Sequence, residues 1–172
     1  MYIRAVKSII LMRHAKAETG SADQSDFDRA LAARGRHDAE RMGKALAKLH
    51  QVPDAVVSST AVRAKETAEI AAEAMRFRGA LKTVSRLYNA DGDAWLVTLR
   101  ELPGSADTAL LVAHSPGIEE AAGLLCGAPS RAFDVPTGAV LLFTAEVDRW
   151  SELQPGDAAL QGFLRPKAVA AL

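Results

Sequence analysis

The stretch Asp107-Thr108-Ala109-Leu110-Leu111-Val112-Ala113, followed at once by His114-Ser115-Pro116-Gly117, is the clearest strand signal in the chain and decides the fold class. An apolar run of this length, bounded by turn residues, reads as a strand buried on both faces, the kind found in parallel sheets. Pro116 stands where a following helix accepts proline, and the helix then runs to about Cys126.

Working outward, Ile9-Ile10-Leu11-Met12 is a second buried-strand signal that ends in Arg13-His14. A polar stretch without periodicity covers residues 17–29, and a helix follows over residues 36–50. Its Ala39, Met42, Leu46 and Leu49 recur at three- and four-residue spacing, and Pro53 is expected to stop it. Ala55-Val56-Val57 reads as a strand, Ser58-Ser59-Thr60 as a turn able to cap a helix, and residues 61–75 as that helix.

Thr83-Val84 is a weak strand, and Asp91-Gly92-Asp93 opens a helix through Leu102 that Pro103-Gly104 ends. Residues 138–143 and a run near Trp150-Ser151-Glu152-Leu153 complete the pattern as a terminal pair of strands. Strands alternating with helices predict an α/β fold, a single three-layer α/β/α domain over residues 1–172 with a largely parallel central sheet. No repeat, low-complexity tract or linker divides it.

Composition agrees with a globular protein and narrows its partners. Apolar residues form 49% of the 172 and charged residues 24%, with Lys+Arg and Asp+Glu equal at 21 each. A chain of this size can bury roughly 70% of its unfolded surface without a covalent staple. Zero net charge argues against nucleic acid, so any positive potential must be local. The single Cys126 needs no oxidising compartment. No apolar run approaches the roughly 20 residues of a membrane span. The start, from Met1 to Lys7, leads into an apolar run too short for a signal peptide. The expectation is a cytoplasmic protein, a monomer, with no membrane association.

In open α/β sheets, ligands gather beyond the carboxyl ends of the strands. Three such ends here carry Arg13-His14, then Ser58-Ser59-Thr60 with Arg63, then His114. Two histidines and two arginines therefore project from one sheet edge. Guanidinium forks suit phosphoryl oxygens, and a neutral imidazole can attack phosphorus.

These residues lie in three motifs. Leu11-Met12-Arg13-His14-Ala15-Lys16 resembles the Arg-His signature of the histidine phosphatase superfamily, the phosphoglycerate mutase-like fold, in an Arg-His-Ala form. The run from Ser58 to Ala68, with its arginine and Thr67-Ala68 pair, is similar to that family's second motif, and Val112-Ala113-His114-Ser115-Pro116 to its second-histidine motif. The resemblance implies that His14 is phosphorylated, that Arg13, Arg63 and His114 clamp the phosphoryl group, and that no metal or cofactor is required.

Residues 28–36, Asp38-Ala39, Met42-Gly43 and Pro136-Thr137-Gly138-Ala139 resemble the SixA-type phosphohistidine phosphatases, as does the small size. The short connection between His14 and the first helix leaves no room for a large lid insertion. A bare site admits a side chain displayed on another protein, which favours a phosphohistidine-containing protein as substrate. A small phosphorylated metabolite and a non-catalytic phosphate-binding module are the alternatives.

Remaining residues carry less. Asp91 and Asp93 are candidates for a general acid and equally for helix-opening residues. Arg29 fits a pocket rim or a solvated loop. His37 and His50 read as surface residues, and Lys16 as added positive potential. The run from Cys126 to Arg131 faintly resembles a cysteine phosphatase loop, but it is one residue short and Pro129 removes an amide donor, so Cys126 reads as a buried inert thiol.

Overall fold

A computed structural model describes residues 5–170; the start of the N-terminal run, Met1 to Arg4, lies outside the described residues. The chain forms β1 (Lys7–Arg13), α1 (Ala33–Lys48), β2 (Ala55–Ser59), α2 (Val62–Ala74), β3 (Leu81–Val84) and α3 (Gly92–Arg100). It continues through β4 (Thr108–Ala113), α4 (Gly117–Cys126), β5 (Val140–Ala145), β6 (Ala158–Leu164) and a short α5 (Pro166–Val169). One six-stranded sheet has the order β3-β2-β4-β1-β5-β6.

β1, β2, β3 and β4 pair in parallel, whereas β5 runs antiparallel to β1 and β6 antiparallel to β5. The unbroken apolar runs of β1 and β4 reflect burial on both sides. Ile9, Leu11, Ala109 and Leu111 face a core with Trp95 and Leu99 of α3 and Ile118 and Leu125 of α4. Ile10, Met12, Leu110 and Val112 face the opposite core, with Met42 and Leu46 of α1 and Ala68 and Ala71 of α2. Truncating one of the larger of these side chains, such as Leu11, Leu111, Met42 or Leu46, to alanine costs about 2–5 kcal/mol, a large share of a domain's stability.

α1 crosses α2 closely because Gly43 carries no side chain. A Cβ there would lie 2.5 Å from the carbonyl oxygen of Ala71, inside van der Waals contact.

Three expected features differ. Ser58 and Ser59 end β2 rather than form a turn, and α2 is preceded by Ala61 with no side-chain cap. Residues 150–153 are not a strand: Trp150–Glu152 is a 3-10 turn, and the final strand is β6, further on. Trp150 and Leu153 are both buried at one-turn spacing, and the Trp150 indole N–H donates to Ala106 O at 2.7 Å. β6 hid because it is a largely exposed edge strand, with Leu160 43% accessible, so burial imposes no clear alternation on its sequence.

α1 also begins earlier than expected, and it ends before Pro53. His50 adopts φ 57°, and Gln51 N–H returns to Leu46 O at 2.9 Å, closing the helix by a left-handed turn.

The polar connection between β1 and α1 is a closed loop. Its base is pinned by a bridge between Ala17 and Leu31 and by Glu18 N–H to Ala30 O at 2.9 Å. Its tip is a 3-10 turn, Asp26–Asp28, capped by Ser25.

Candidate functional site

Because β2, β4 and β1 are adjacent and parallel, their carboxyl ends meet on one edge and bring Ser59, His114 and His14 together. The His14 N–H donates to Ala113 O at 2.9 Å, stitching the residue after β1 to the end of β4. Across the other side, Gly138 N–H donates to both Arg13 O and His14 O, at 3.1 and 3.0 Å. Gly138 does so at φ 76°, a conformation costly for a residue with a Cβ.

The His14 and His114 ring centroids lie 5.2 Å apart, tilted by 56°. His14 Nδ1 is 2.8 Å from Ala15 O. A carbonyl cannot donate, so Nδ1 carries the hydrogen and Nε2 keeps its lone pair. Arg63 Nε lies 3.4 Å from that Nε2. Both histidines and Arg63 are buried.

Burial, reinforced by the positive charges of Arg63 and Arg13 and by His114, pulls the His14 imidazole down to about 3, against an opposing hydrogen bond to Ala15. Burial, then Arg63 and Arg13, pulls His114 down to about 4, while Asp26 works in the opposite direction. Both rings are thus neutral near pH 7. His114 Nε2 is held by Ser59 Oγ at 2.8 Å. Its Nδ1, and Nε of Arg13, are buried with no partner among the described residues, whereas Arg13 Nη1 donates to Val135 O at 2.8 Å.

The four residues singled out from sequence, Arg13, His14, Arg63 and His114, therefore meet. Residues 9–100 match the profile of the Histidine phosphatase superfamily (branch 1). This chain belongs to the histidine phosphatase superfamily.

Relatives of this histidine phosphatase include an uncharacterised protein of Mycobacterium leprae (strain TN), 30% identical over 91% of this chain and 100% of its own length. A solved structure of a protein provisionally named phosphohistidine phosphatase SixA, from Nakamurella multipartitia, is 27% identical with a TM-score of 0.80. That match covers 94% of this chain and 97% of the other. The protein histidine phosphatase SixA complexed with tungstate shares the fold at 20% identity, with a TM-score of 0.81 over 94% of this chain and 99% of the other.

Three site neighbours carried no recognised signal. Asp26 at the loop tip accepts Arg63 Nη2 at 2.8 Å and the Tyr88 hydroxyl at 3.2 Å, and Arg63 Nη1 donates to its carbonyl. The Tyr88 ring stands edge-on to His114, with centroids 5.6 Å apart, and edge-on to Phe27. Glu119, on the first turn of α4, accepts Ser115 Oγ at 3.1 Å and Val135 N–H at 3.4 Å, bracing the loop whose Val135 carbonyl receives Arg13. No one-dimensional pattern marks any of them, since each is defined by what it meets across the fold.

Arg29 lies in the loop beside Asp26. Its guanidinium grips Asp26 Oδ1 at 2.6 and 3.0 Å and also reaches Glu18 O. Asp91 caps α3, accepting Ala94 N–H at 3.0 Å, and Asp93 lies exposed in the same first turn. His37, His50 and Lys16 are exposed.

Cys126 ends α4, about 14 Å along the helix from the strand edge where α4 starts. It is half-buried rather than fully buried, and its thiol contacts Ala122 O. Among the described residues no group of three or more His, Cys, Asp or Glu side chains is placed to hold a metal ion. No described helix is long and apolar enough to cross a membrane.

Proposed function

We propose that this histidine phosphatase hydrolyses phosphohistidine on a protein substrate, through a phosphohistidine intermediate on His14. One observation carries the reading. The Nδ1–H bond to Ala15 leaves the Nε2 lone pair of His14 for attack, with Arg63 Nε 3.4 Å from it and two buried, partnerless nitrogens, Arg13 Nε and His114 Nδ1, in the same cluster of side chains. Donors buried without partners are costly, and an anion bound among them would offset that cost.

In the first step the His14 lone pair forms a bond to phosphorus while the bond to the leaving group breaks, its electron pair departing with that group. Arg13 and Arg63 neutralise the equatorial oxygens. Ser59 can donate its hydroxyl to His114 Nε2, which leaves His114 Nδ1–H free to donate to the phosphoryl group. In the second step water attacks phosphorus, and the bonding pair returns to His14. The low basicity of His14 keeps the attacking form populated at neutral pH.

The protein substrate is supported by the connection between β1 and α1, which builds only a small loop rather than a lid around the site. It is also supported by the likeness to the SixA-named structure at 27% identity. The chemistry invokes no metal, so a chelator is expected to leave the rate unchanged.

Incubation with a labelled phosphoryl donor, followed by acid and alkali treatment, tests the intermediate. A label that survives alkali, is lost in acid and is absent from His14→Ala supports it; a label that persists in that variant refutes the assignment. Higher kcat/KM for sugar phosphates than for a phosphohistidine protein would refute the substrate class.

A further inference from the structure

In a two-step transfer through His14, the leaving group must depart from the face of phosphorus remote from His14 Nε2. Arg63 and Tyr88 flank the two imidazoles, and the carboxylate that joins them is that of Asp26. Its carboxylate is 2.8 Å from Arg63 Nη2, and Arg63 Nε is the group beside His14 Nε2. The same Oδ2 is 3.2 Å from the hydroxyl of Tyr88, whose ring borders His114. Asp26 thus spans the side chains that flank the two imidazoles, from the tip of a loop closed at Ala17 and Leu31.

The groups facing this carboxylate leave it an anion. Arg29 holds it from its own turn, Arg63 from α2, and Tyr88 from the segment before α3, while His114 is neutral. Asp28, its acidic neighbour, is turned away onto Ser25 Oγ at 2.7 Å. Arg29 first, and Arg63 with it, hold the Asp26 carboxyl at about 2 despite partial burial. Such a group has no proton to give at neutral pH, which removes it as a general acid. It can only accept.

We infer that Asp26 is a specificity-determining residue on the leaving-group side, whose carboxylate accepts the free ring N–H of a phosphohistidine substrate. The inference rests on the substrate class proposed above. In a bound phosphohistidine one ring nitrogen is bonded to phosphorus and the other can carry a proton. A carboxylate on that N–H favours the cationic ring. When His14 attacks, the P–N bond breaks, its electron pair goes to the ring nitrogen, and the imidazole departs neutral with its N–H retained.

An oxygen leaving group meets the opposite situation. Negative charge grows on its oxygen beside a carboxylate that is already ionised and cannot protonate it. One side chain therefore favours phosphoramidates and disfavours phosphomonoesters.

The test compares wild type with Asp26→Asn on two substrates that share the phosphoryl group and the His14 step, free phosphohistidine and p-nitrophenyl phosphate. The variant is expected to lose kcat/KM on phosphohistidine and gain it on p-nitrophenyl phosphate, so the preference ratio falls by about tenfold or more. Asp26→Glu is expected to restore part of that ratio.

Equal loss on both substrates would mean that Asp26 only positions Arg63. Equal gain would mean that it only competes for Arg63. Either result overturns the inference. A wild type that turns over p-nitrophenyl phosphate but not phosphohistidine refutes the substrate class and this inference with it. A wild type that prefers phosphohistidine by a ratio unchanged in Asp26→Asn refutes this inference alone.

Discussion

Thr67 Oγ1 accepts the backbone N–H of Ala15 at 3.0 Å and donates to Arg63 O at 2.7 Å. One hydroxyl on α2 thereby ties the residue after His14 to the helix turn that carries Arg63. The distance between the His14 ring and the Arg63 guanidinium is set by this buried link as well as by the sheet.

Thr67→Val keeps the shape but strands the Ala15 N–H in the interior. The expected loss of stability is about 1–3 kcal/mol, with kcat reduced more than KM is raised, because the phosphoryl group still binds but sits badly for attack. Urea denaturation and steady-state kinetics on the same variant check both parts.

Arg63→Lys keeps a positive charge but loses the fork that faces His14 with Nε and Asp26 with Nη1 and Nη2. A lysine cannot serve both. kcat is expected to fall about 10²-fold, the scale of removing one oriented donor from a developing anion. Near-wild-type kcat in Arg63→Lys would show that charge alone suffices.

The two site histidines make stability depend on pH. Their folded values, about 3 for His14 and about 4 for His114, lie below the ordinary value of 6.5. Between about pH 6.5 and 4 the unfolded chain binds protons that the folded protein does not, so stability is fully present above 6.5 and is lost as pH falls. By linkage the loss at pH 5 is about 2 kcal/mol for each histidine. Denaturation midpoints at pH 7 and pH 5 are expected to differ less in His114→Asn than in wild type.

Asp91 distinguishes a cap from an acid. Asp91→Ala is expected to cost about 1 kcal/mol through loss of the bond to Ala94 N–H. Its kcat on p-nitrophenyl phosphate should match wild type. A kcat lowered by 10² or more would return Asp91 to the chemistry.

Much of this protein is legible without coordinates. The unbroken apolar runs in β1 and β4 could be satisfied only between two layers of helices, so they announced central parallel strands. Rules for such sheets then put Arg13, His14, Arg63 and His114 on one edge. The antiparallel end of the sheet was less legible. Trp150 and Leu153 are apolar and near the terminus, and only their one-turn burial separates them from a strand; β6 is exposed enough that its residues record little of their pairing.

The site shows the same division. Motif residues were recognisable because the short runs that carry them resemble those of a known family, and such runs are local in sequence. Asp26, Tyr88 and Glu119 were not, because a carboxylate in a polar loop looks like any solvated carboxylate until the chain has folded. The amino-acid order by itself determined the layers and the ligand-facing edge, consequences of periodicity and short-range geometry, and through its motifs it singled out the four side chains that the fold brings together. The tertiary structure alone decided that a loop tip would lean onto Arg63, which tautomer His14 adopts, and how far burial lowers both histidines. Contacts, dielectric and hydrogen-bond partners exist only once distant segments are brought together.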